Sequence, residues 1–349
     1  MIKFLPAVFF ILTFQLNAQI IGGSHVFNFI NSPSSPRITA LGSNLITVAD
    51  DDVAQAFANP ALINPSMSGK IAFNYGFHLA SIKDGYLGYG QHIKKWDASF
   101  HTGFQFINYQ NFQGTDEIGN STGEFSASEF AWVVGASKPI YEKLTLGTNM
   151  KFISSSFETY ASTGVSFDAA ALYQDTAKRM TLTLLFKNMG TQFTSYSNIR
   201  ESLPFEIQAG FSKRLAHLPF RYSIIYQHLN NWNLTYDNPN EESAILNFGT
   251  EQEEDSAFKI FSNNLFRHFI FNGEFLLGKK ENFKLRFGYN HLLHRNLSVK
   301  NFNSFAGFSF GFGFKTRWAK FDFGRQVYHL AGGVTSMGLT MNLADFRKK

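Results

Sequence analysis

The stretch that decides the fold is AGFSFGFGFK, residues 306–315. Phenylalanine occupies positions 308, 310, 312 and 314, and only serine and glycine stand between them. Successive side chains of a β-strand point to opposite faces. The stretch is therefore predicted to be a strand with one bulky apolar face and one nearly bare face, and the two faces must meet different surroundings.

The composition narrows the class of protein. The chain has 349 residues and 41 phenylalanines, yet its mean hydropathy is −0.13. Beyond the N-terminus no run approaches the roughly 18 apolar residues of a membrane-spanning helix, which excludes a helical membrane protein. The absence of cysteine excludes a disulfide framework and cysteine metal sites. The chain has no internal block rich in lysine and arginine of the kind that binds nucleic acid.

The first residues, MIKFLPAVFFILTFQLNA, have the pattern of an export signal. Lys3 supplies the charged start, residues 4–14 form a short apolar core, and cleavage after Ala18 is expected. A buried N-terminal helix is the alternative. Residues 1–18 are thus predicted to be a signal peptide, and the remainder is expected to leave the cytoplasm, as a bacterial envelope protein does.

The alternation of the opening stretch recurs along the chain. It is clear in KLTLGTNMKF (143–152), LPFEIQAGF (203–211) and NFKLRFGYN (282–290). About fourteen such segments are found, and no helical pattern of similar length separates them. They are predicted near residues 70–80, 83–94, 97–109, 125–138, 142–156, 160–175, 179–190, 203–215, 219–230, 264–278, 282–292, 306–316, 318–329 and 335–346.

The connections between these strands fall into two groups. Every second connection is a short turn, such as KKWD or GKKEN, whereas all the long segments belong to the other set. The long segments are residues 110–124, 191–202, 231–263 and 294–305. This sorting is typical of outer-membrane barrels, which have short periplasmic turns and longer external loops. The predicted fold is all-β, an antiparallel outer-membrane β-barrel over residues 70–349.

The size of the barrel decides which face meets lipid. Side chains can fill a barrel of about eight strands but not a much wider one. The phenylalanine face of a fourteen-stranded barrel should therefore point outward. The polar face should line the lumen, because a charge facing lipid at mid-bilayer costs about 2–4 kcal/mol. The charged side chains predicted to face the lumen are Lys151, Glu206, Lys284, Arg286 and Asp322.

Residues 19–69 do not alternate, and we expect this partly helical segment to plug the lumen. It contains Asp50, Asp51 and Asp52 before a short helix expected at residues 53–58. Aspartate at a helix start caps free amide groups and opposes the helix dipole. Capping is the expected role of the three aspartates; a calcium site is the alternative, although no EF-hand spacing follows.

The loop at residues 231–263 is the longest and is acidic. Its carboxylates are Asp237, Glu241, Glu242, Glu251, Glu253, Glu254 and Asp255. Two interpretations stay open, a solvated loop and a docking surface for a soluble partner outside the cell.

The sequence contains no motif that carries chemistry. HExxH and P-loop patterns are absent, and the glycines of GFSFGFGF (307–314) fall at period-two positions, which indicates barrel wall rather than a phosphate cradle. His101, His228, His268 and His329 could each serve a site at a barrel rim, but nothing in the sequence selects a pair. No catalytic residue, metal site or cofactor is predicted, and the protein is not expected to be an enzyme.

The N-terminal segment carries a resemblance to known proteins. It has the order IGGSHVFNF, then SSPR ending at Arg37, then Ala40-Leu41-Gly42, then Asp50–Asp52, then Asn59-Pro60-Ala61. This pattern resembles the PorQ family, an outer-membrane component of the type IX secretion system. It is also similar to PorV and, more distantly, to FadL-type transporters. Many relatives have glycine where this chain has Ser43.

The resemblance implies a fourteen-stranded barrel with the N-terminal segment inside. It also implies a scaffold or anchor in the attachment complex that joins secreted cargo to anionic lipopolysaccharide. The implied partners are PorV, the PorU sortase and PorZ, together with outer-membrane lipid; direct binding of lipopolysaccharide stays open.

Two other functions remain as alternatives. The first is a FadL-like channel for hydrophobic small molecules, which predicts an apolar lumen pocket and a bulged strand that opens toward lipid. The second is a general porin, which requires an unobstructed lumen.

Overall fold

The computed structural model describes residues 25–197, 199–235, 256–298, 304–329 and 332–345. The expected signal peptide lies outside these residues. So does the whole acidic set of the longest loop, Asp237, Glu241, Glu242, Glu251, Glu253, Glu254 and Asp255.

Fourteen strands form one closed antiparallel barrel, as the sequence predicted. Each strand pairs with its neighbours in chain order, and β1 pairs with β14 to close the ring. The strands are β1 Lys70–Phe77, β2 Lys83–Ile93, β3 Ala98–Thr115, β4 Ser121–Tyr141, β5 Leu144–Phe157, β6 Tyr160–Asp175, β7 Met180–Thr194, β8 Glu206–Arg214, β9 Phe220–Tyr226, β10 Phe269–Leu277, β11 Phe283–Asn290, β12 Phe308–Lys315, β13 Ala319–His329 and β14 Gly332–Asn342.

The largest differences from the predicted boundaries lie in two places. Most of the predicted loop at residues 110–124 is strand, because β3 and β4 stay paired up to Thr115 opposite Ser121. Residues 264–267, predicted as the start of a strand, end a helix instead. This helix is Ala257–Arg267, and Ser256 caps it by accepting a hydrogen bond from the amide of Lys259.

The strand connections separate the two ends of the barrel. The short-turn end carries the turns at 94–97, 142–143, 176–179, 215–219, 278–282 and 316–318. The long-loop end carries the β3–β4 hairpin, the 195–205 segment, helix Ala257–Arg267 and helix His291–Leu297. The sorting of connections by length therefore agrees with the prediction.

The two faces of the wall also agree with it. Phe308, Phe310, Phe312 and Phe314 point outward and are 41–52% exposed. Predicted lumen charges such as Lys151, Arg286 and Glu206 are buried inside. Among the described residues, no helix combines the length and apolar character needed to cross a membrane.

Residues 25–69 lie inside the barrel and form a plug. The plug begins at the long-loop end, where His25 bridges to Ser202, and it reaches the short-turn end, where the amide of Gly69 donates to the carbonyl of Gly90. Helices α1 Pro36–Thr39 and α2 Gln55–Ala58 and several 3-10 turns make up the plug. We number the two helices outside the barrel α3 (Ala257–Arg267) and α4 (His291–Leu297).

Short sequence motifs shape the plug locally. Ser35 caps α1, since its Oγ accepts from the amide of Ile38 at 3.2 Å and Pro36 follows it. Asn59 starts the next turn in the same way, accepting from the amide of Ala61 at 2.9 Å before Pro60. Both prolines occupy first-turn positions where a backbone donor is not needed.

Candidate functional site

One side of the plug packs on bare glycine surface of the barrel wall. A Cβ atom at Gly324 would lie 2.0 Å from the carbonyl oxygen of Pro36, and one at Gly288 would lie 2.2 Å from the amide nitrogen of Gly42. A Cβ at Gly311, within the opening stretch, would lie 2.6 Å from the Cβ of Ala40. Glycine permits this close approach of two backbones. The bare face of the strand is thus the face that receives the plug.

The opposite side of the plug has an apolar contact. Phe57 and Met67 pack with Tyr86 of β2, and the rings of Phe57 and Tyr86 meet edge to face at 5.6 Å between centroids. Here too a glycine of the wall lets the plug backbone approach closely, since a Cβ at Gly147 would lie 2.4 Å from the amide nitrogen of Ala61. The signature residues Asn59, Pro60 and Ala61 are therefore buried plug residues, and Pro60 and Ala61 touch β5.

Arg37 is the centre of a buried ionic network between plug and wall. It is fully buried, and its Nη1 lies 2.8 Å from Asp50 Oδ2 while its Nε lies 3.0 Å from Glu274 Oε1. Glu274 on β10 also accepts from Arg221 and from Arg286, whose Nε lies 3.1 Å away. Burial alone would lower the pKa of Arg37, but Asp50, Glu274 and Asp52 raise it well above its usual value.

Asp51 and Asp52 bind wall cations, whereas the main partner of Asp50 is Arg37 of the plug. Asp51 accepts from Lys70 at 2.6 Å and from Lys315 at 2.9 Å, and Asp52 accepts from Lys320 at 3.2 Å. Burial raises the pKa of Asp50, but Arg37 and neighbouring wall cations outweigh it and lower the pKa to about 2. The pKa of Asp51 is held well below its ordinary range, because hydrogen bonds from its two lysines outweigh burial.

The predicted capping role of the aspartates is wrong. Helix α2 begins at Gln55 with Ala54 as its N-cap, and no side chain caps it. The carboxylates instead pair with Arg37 of the plug and with lysines of the wall. As to metals, no group of three histidines, aspartates or glutamates within the described ranges could hold an ion.

A cavity of about 330 Å³ lies between the plug and the wall toward the long-loop end. Apolar side chains such as Ile30, Ile38 and Ile270 line part of it, and Lys187 and Glu206 line another part. Its lining is therefore of mixed polarity, in contrast to the apolar pocket expected of a hydrocarbon channel.

The barrel wall changes next to this cavity. The pairing of β7 with β8 ends at Lys187 opposite Glu206, although β7 continues to Thr194. The backbone bulges at Asn188, which has φ 59°, and its amide donates to Asp168 at 2.8 Å. Inside the wall here, Lys151 and Asp168 form a fully buried ion pair at 2.7 Å.

The space beyond the last β7–β8 pair is occupied by protein. Leu203, in the segment before β8, is buried in one apolar cluster with Phe27 and Phe29 of the plug. Asn188 also donates to the carbonyl of Pro204 at 3.1 Å and to Asn31 at 2.9 Å. The bulged strand of the channel hypothesis is present, but its flank is closed by the plug and by residues 199–205.

The long-loop end carries an exposed apolar surface on α3. Phe258 is 79% exposed, Ile260 57% and Phe261 52%. Trp232 stands beside this helix, with its ring 5.4 Å from that of Phe261. Grouped apolar side chains that face outward on a loop region often mark a binding site.

The structure places the predicted site residues in different parts of the barrel. The signature residues Arg37, Leu41, Gly42, Asp50–Asp52, Pro60 and Ala61 lie at the contact between plug and wall, whereas Asn59 bonds within the plug to the carbonyl of Ile46. His101, His228 and His268 do not form a shared site: His101 bonds Tyr86 inside the barrel, His228 lies beside Glu206, and Nδ1 of His268 donates to the carbonyl of Gln227. Sequence analysis missed Glu274 and Arg221, although single charges on inward-facing strand positions were a usable signal.

The fold resembles solved outer-membrane channels. The monoaromatic hydrocarbon channel CymD is 12% identical, with a TM-score of 0.55 over 90% of this chain and 98% of that one. The toluene transporter TodX of Pseudomonas putida is 9% identical, with a TM-score of 0.52 over 88% and 96%. No protein-family model and no curated protein matches the sequence.

At such low identity these similarities establish the fold alone. The chain has the fold of the CymD and TodX channels.

Proposed function

We propose that this protein is a non-enzymatic scaffold of the type IX secretion attachment complex. The observation that carries the proposal is a lumen filled by a plug held on both sides, together with an exposed apolar helix at the long-loop end. The specific secretion role rests on the resemblance of the N-terminal segment to the PorQ family. The implied partners are PorV, the PorU sortase and PorZ.

The packing of the plug supports a membrane anchor over a general porin. A porin needs an open aqueous lumen. Here Arg37 is fully buried, and its contacts tie the plug to β10. Removing such a plug would leave several buried charges without partners, at a cost of several kcal/mol.

Helix α3 supplies a surface for a partner. Burial of side chains such as Phe258 contributes about 1.5–3 kcal/mol each. Aromatic anchors of this kind commonly dominate the energy of protein interfaces. Partner binding is therefore expected at the long-loop end, on α3 and the adjoining loop.

The first experiment deletes the gene and follows cargo that carries type IX signals. The scaffold role predicts cargo that is left unprocessed or released into the medium while the membrane stays intact. Normal display of cargo at the cell surface would refute the role.

A second experiment locates the partner surface. Phe258→Ser together with Phe261→Ser should abolish copurification of attachment-complex proteins without affecting the heat-modifiable mobility of the folded barrel. Ser262→Ala on the same helix is the matched control and should copurify normally. Shortening residues 231–263 should likewise release the partner, and unchanged binding in both variants would overturn the location.

The second candidate function is a FadL-like channel for hydrophobic small molecules. The fold comparisons favour this candidate and have no bearing on secretion. The cavity beside the end of the β7–β8 pairing also supports it. Lys187, Glu206 and the ion pair of Lys151 with Asp168 argue against it, because an apolar solute cannot satisfy buried charged groups. Uptake of a monoaromatic hydrocarbon that falls in the deletion strain, with normal cargo display, would establish the channel instead.

A further inference from the structure

A second cavity, of about 370 Å³, opens at the short-turn end beneath the plug. We call it the basal cavity. Asp50 and Asp51 of the plug form part of its lining, and the first residues of β11, Lys284 and Arg286, form another part. Neither candidate function assigns a role to it.

The basal cavity has more positive than negative charge. Seven basic and three acidic side chains line it. Ion pairs connect this lining to three more carboxylates, Asp52, Glu274 and Asp322, and to two more cations, Arg37 and Lys70. The connected set therefore holds nine cations and six carboxylates. An excess of partly buried positive charge is costly unless an anion neutralises it.

Two cations of the lining have unused binding capacity. Arg286 is only 3% exposed, and its Nη2 has no hydrogen-bond partner among the described residues. The nearest carboxylate oxygen recorded for Lys284, on Asp50, lies 4.0 Å away, which is beyond hydrogen-bond reach. A buried donor without a partner costs about 1–3 kcal/mol. The geometry thus leaves donors available beside the cavity.

We propose that the basal cavity binds a phosphate-type oxyanion, held by Arg286, Lys284 and Lys280. A phosphate group carries about −1.5 to −2 charges near neutral pH and offers several strong acceptor oxygens. A ligand with a single carboxylate carries less negative charge, so it would leave more of the excess positive charge of the cavity uncompensated. Arginine forks suit such oxygens geometrically, and lysine adds a point charge.

Two sources could supply this chemistry at the short-turn end, free phosphate and the phosphate headgroup of a lipid. The cavity lies within the barrel, so free phosphate reaches it through the turns, whereas a lipid must insert its headgroup between them. Inorganic phosphate and short-chain phosphatidic acid are therefore the two probes.

The test uses the purified full chain in a non-ionic detergent and a phosphate-free buffer. Calorimetric titration with inorganic phosphate should show saturable binding with a Kd of about 1 mM or tighter. Lys284→Gln combined with Lys280→Gln should weaken binding at least about tenfold, the value of one charge-assisted hydrogen bond. The matched control, Lys95→Gln on the 94–97 turn, should bind as the unaltered chain does.

The two probes separate the sources. Tighter binding of the short-chain phosphatidic acid than of inorganic phosphate, lost in the same double variant, assigns the site to lipid headgroups. The single variant Lys280→Gln, at the rim, replaces the double variant if that one fails to fold. The proposal is overturned if the unaltered chain binds neither probe, or if Lys95→Gln weakens binding as much as the substitutions in the cavity.

Discussion

The two sides of the lumen hold the same plug by different physical means. On the side of β9–β13, Arg37 and the aspartates pair with wall charges such as Glu274. On the side of β2–β6, Phe57 and its neighbours bury apolar surface against side chains such as Tyr86. Glycines of the wall admit plug backbone on both sides.

The two kinds of contact contribute differently to holding the plug: one fixes its position, and the other adds stability. Apolar burial is not directional and does not depend on charge states. A buried ionic network tolerates only the arrangement in which every charge has a partner, because an uncompensated charge is expensive. The ionic side should therefore set the position of the plug, while the apolar side adds stability that does not respond to pH.

The largest effect is expected from Glu274→Gln. This change leaves Arg37, Arg221 and Arg286 without their shared carboxylate, and we expect it to lower the free energy of unfolding by about 3–5 kcal/mol. Urea unfolding in lipid vesicles, followed by tryptophan fluorescence, measures it. The control is Glu281→Gln, which breaks the more exposed pair with Arg214 and should cost less than about 1 kcal/mol. Equal losses for the two variants would contradict a special role of the network.

The next effect is expected from larger residues at the glycine contacts. Gly324→Val and Gly147→Val should each displace the plug backbone at a cost of up to about 3 kcal/mol. Displacement should raise ion conductance in planar bilayers. Phe310→Leu, which faces outward, serves as the control and should leave conductance low. Unchanged conductance in both glycine variants would mean that the wall yields rather than the plug.

A smaller effect is expected from acid. The pKa of Asp50 falls from 3.8 in the unfolded chain to about 2 in the folded protein. A lowered carboxyl pKa contributes stability above the unfolded value, and this contribution, roughly 2 kcal/mol, disappears as the pH falls from about 4 to about 2. Unfolding measured across this range should show the loss. In Asp50→Asn the slope should be shallower, and an identical slope would exclude Asp50 as its source.

The smallest effect is expected on the apolar side. Phe57→Leu keeps an apolar side chain and should cost about 1 kcal/mol. The cost should be the same at about pH 3 as at neutral pH, because no charge is removed. The same urea titrations measure it. A strong dependence on pH would contradict a contact that rests on apolar packing alone.

The fold was largely predictable because its signal is local. Alternation at period two can be recognised within a single stretch such as residues 306–315, and it locates a strand without knowledge of its neighbours. Helix α3 was partly mistaken for strand, since a short apolar run around Phe266 does not reveal its period. The β3–β4 hairpin was underestimated because its outer part is polar apart from Phe112 and Phe125 and does not alternate clearly.

The site was predictable only in part because its contacts are distant in sequence. Arg37 and Glu274 are separated by 237 positions, and no pattern within one strand indicates that they meet. The aspartates were assigned to the nearest helix, which is the only partner that local reasoning offers. The bare face around Gly311 was visible in the sequence, but the backbone that fills it was not.

The path of the plug has a consequence for how the protein is assembled. His25 lies at one end of the barrel, and the same segment joins β1 at the other end. The ring closes when β1 pairs with β14, the last strand in the chain. A closed ring could receive this segment only by having a free chain end drawn through its whole length. The simpler order is that the strands assemble around a segment that is already in place. The plug would then serve as the template on which the barrel closes.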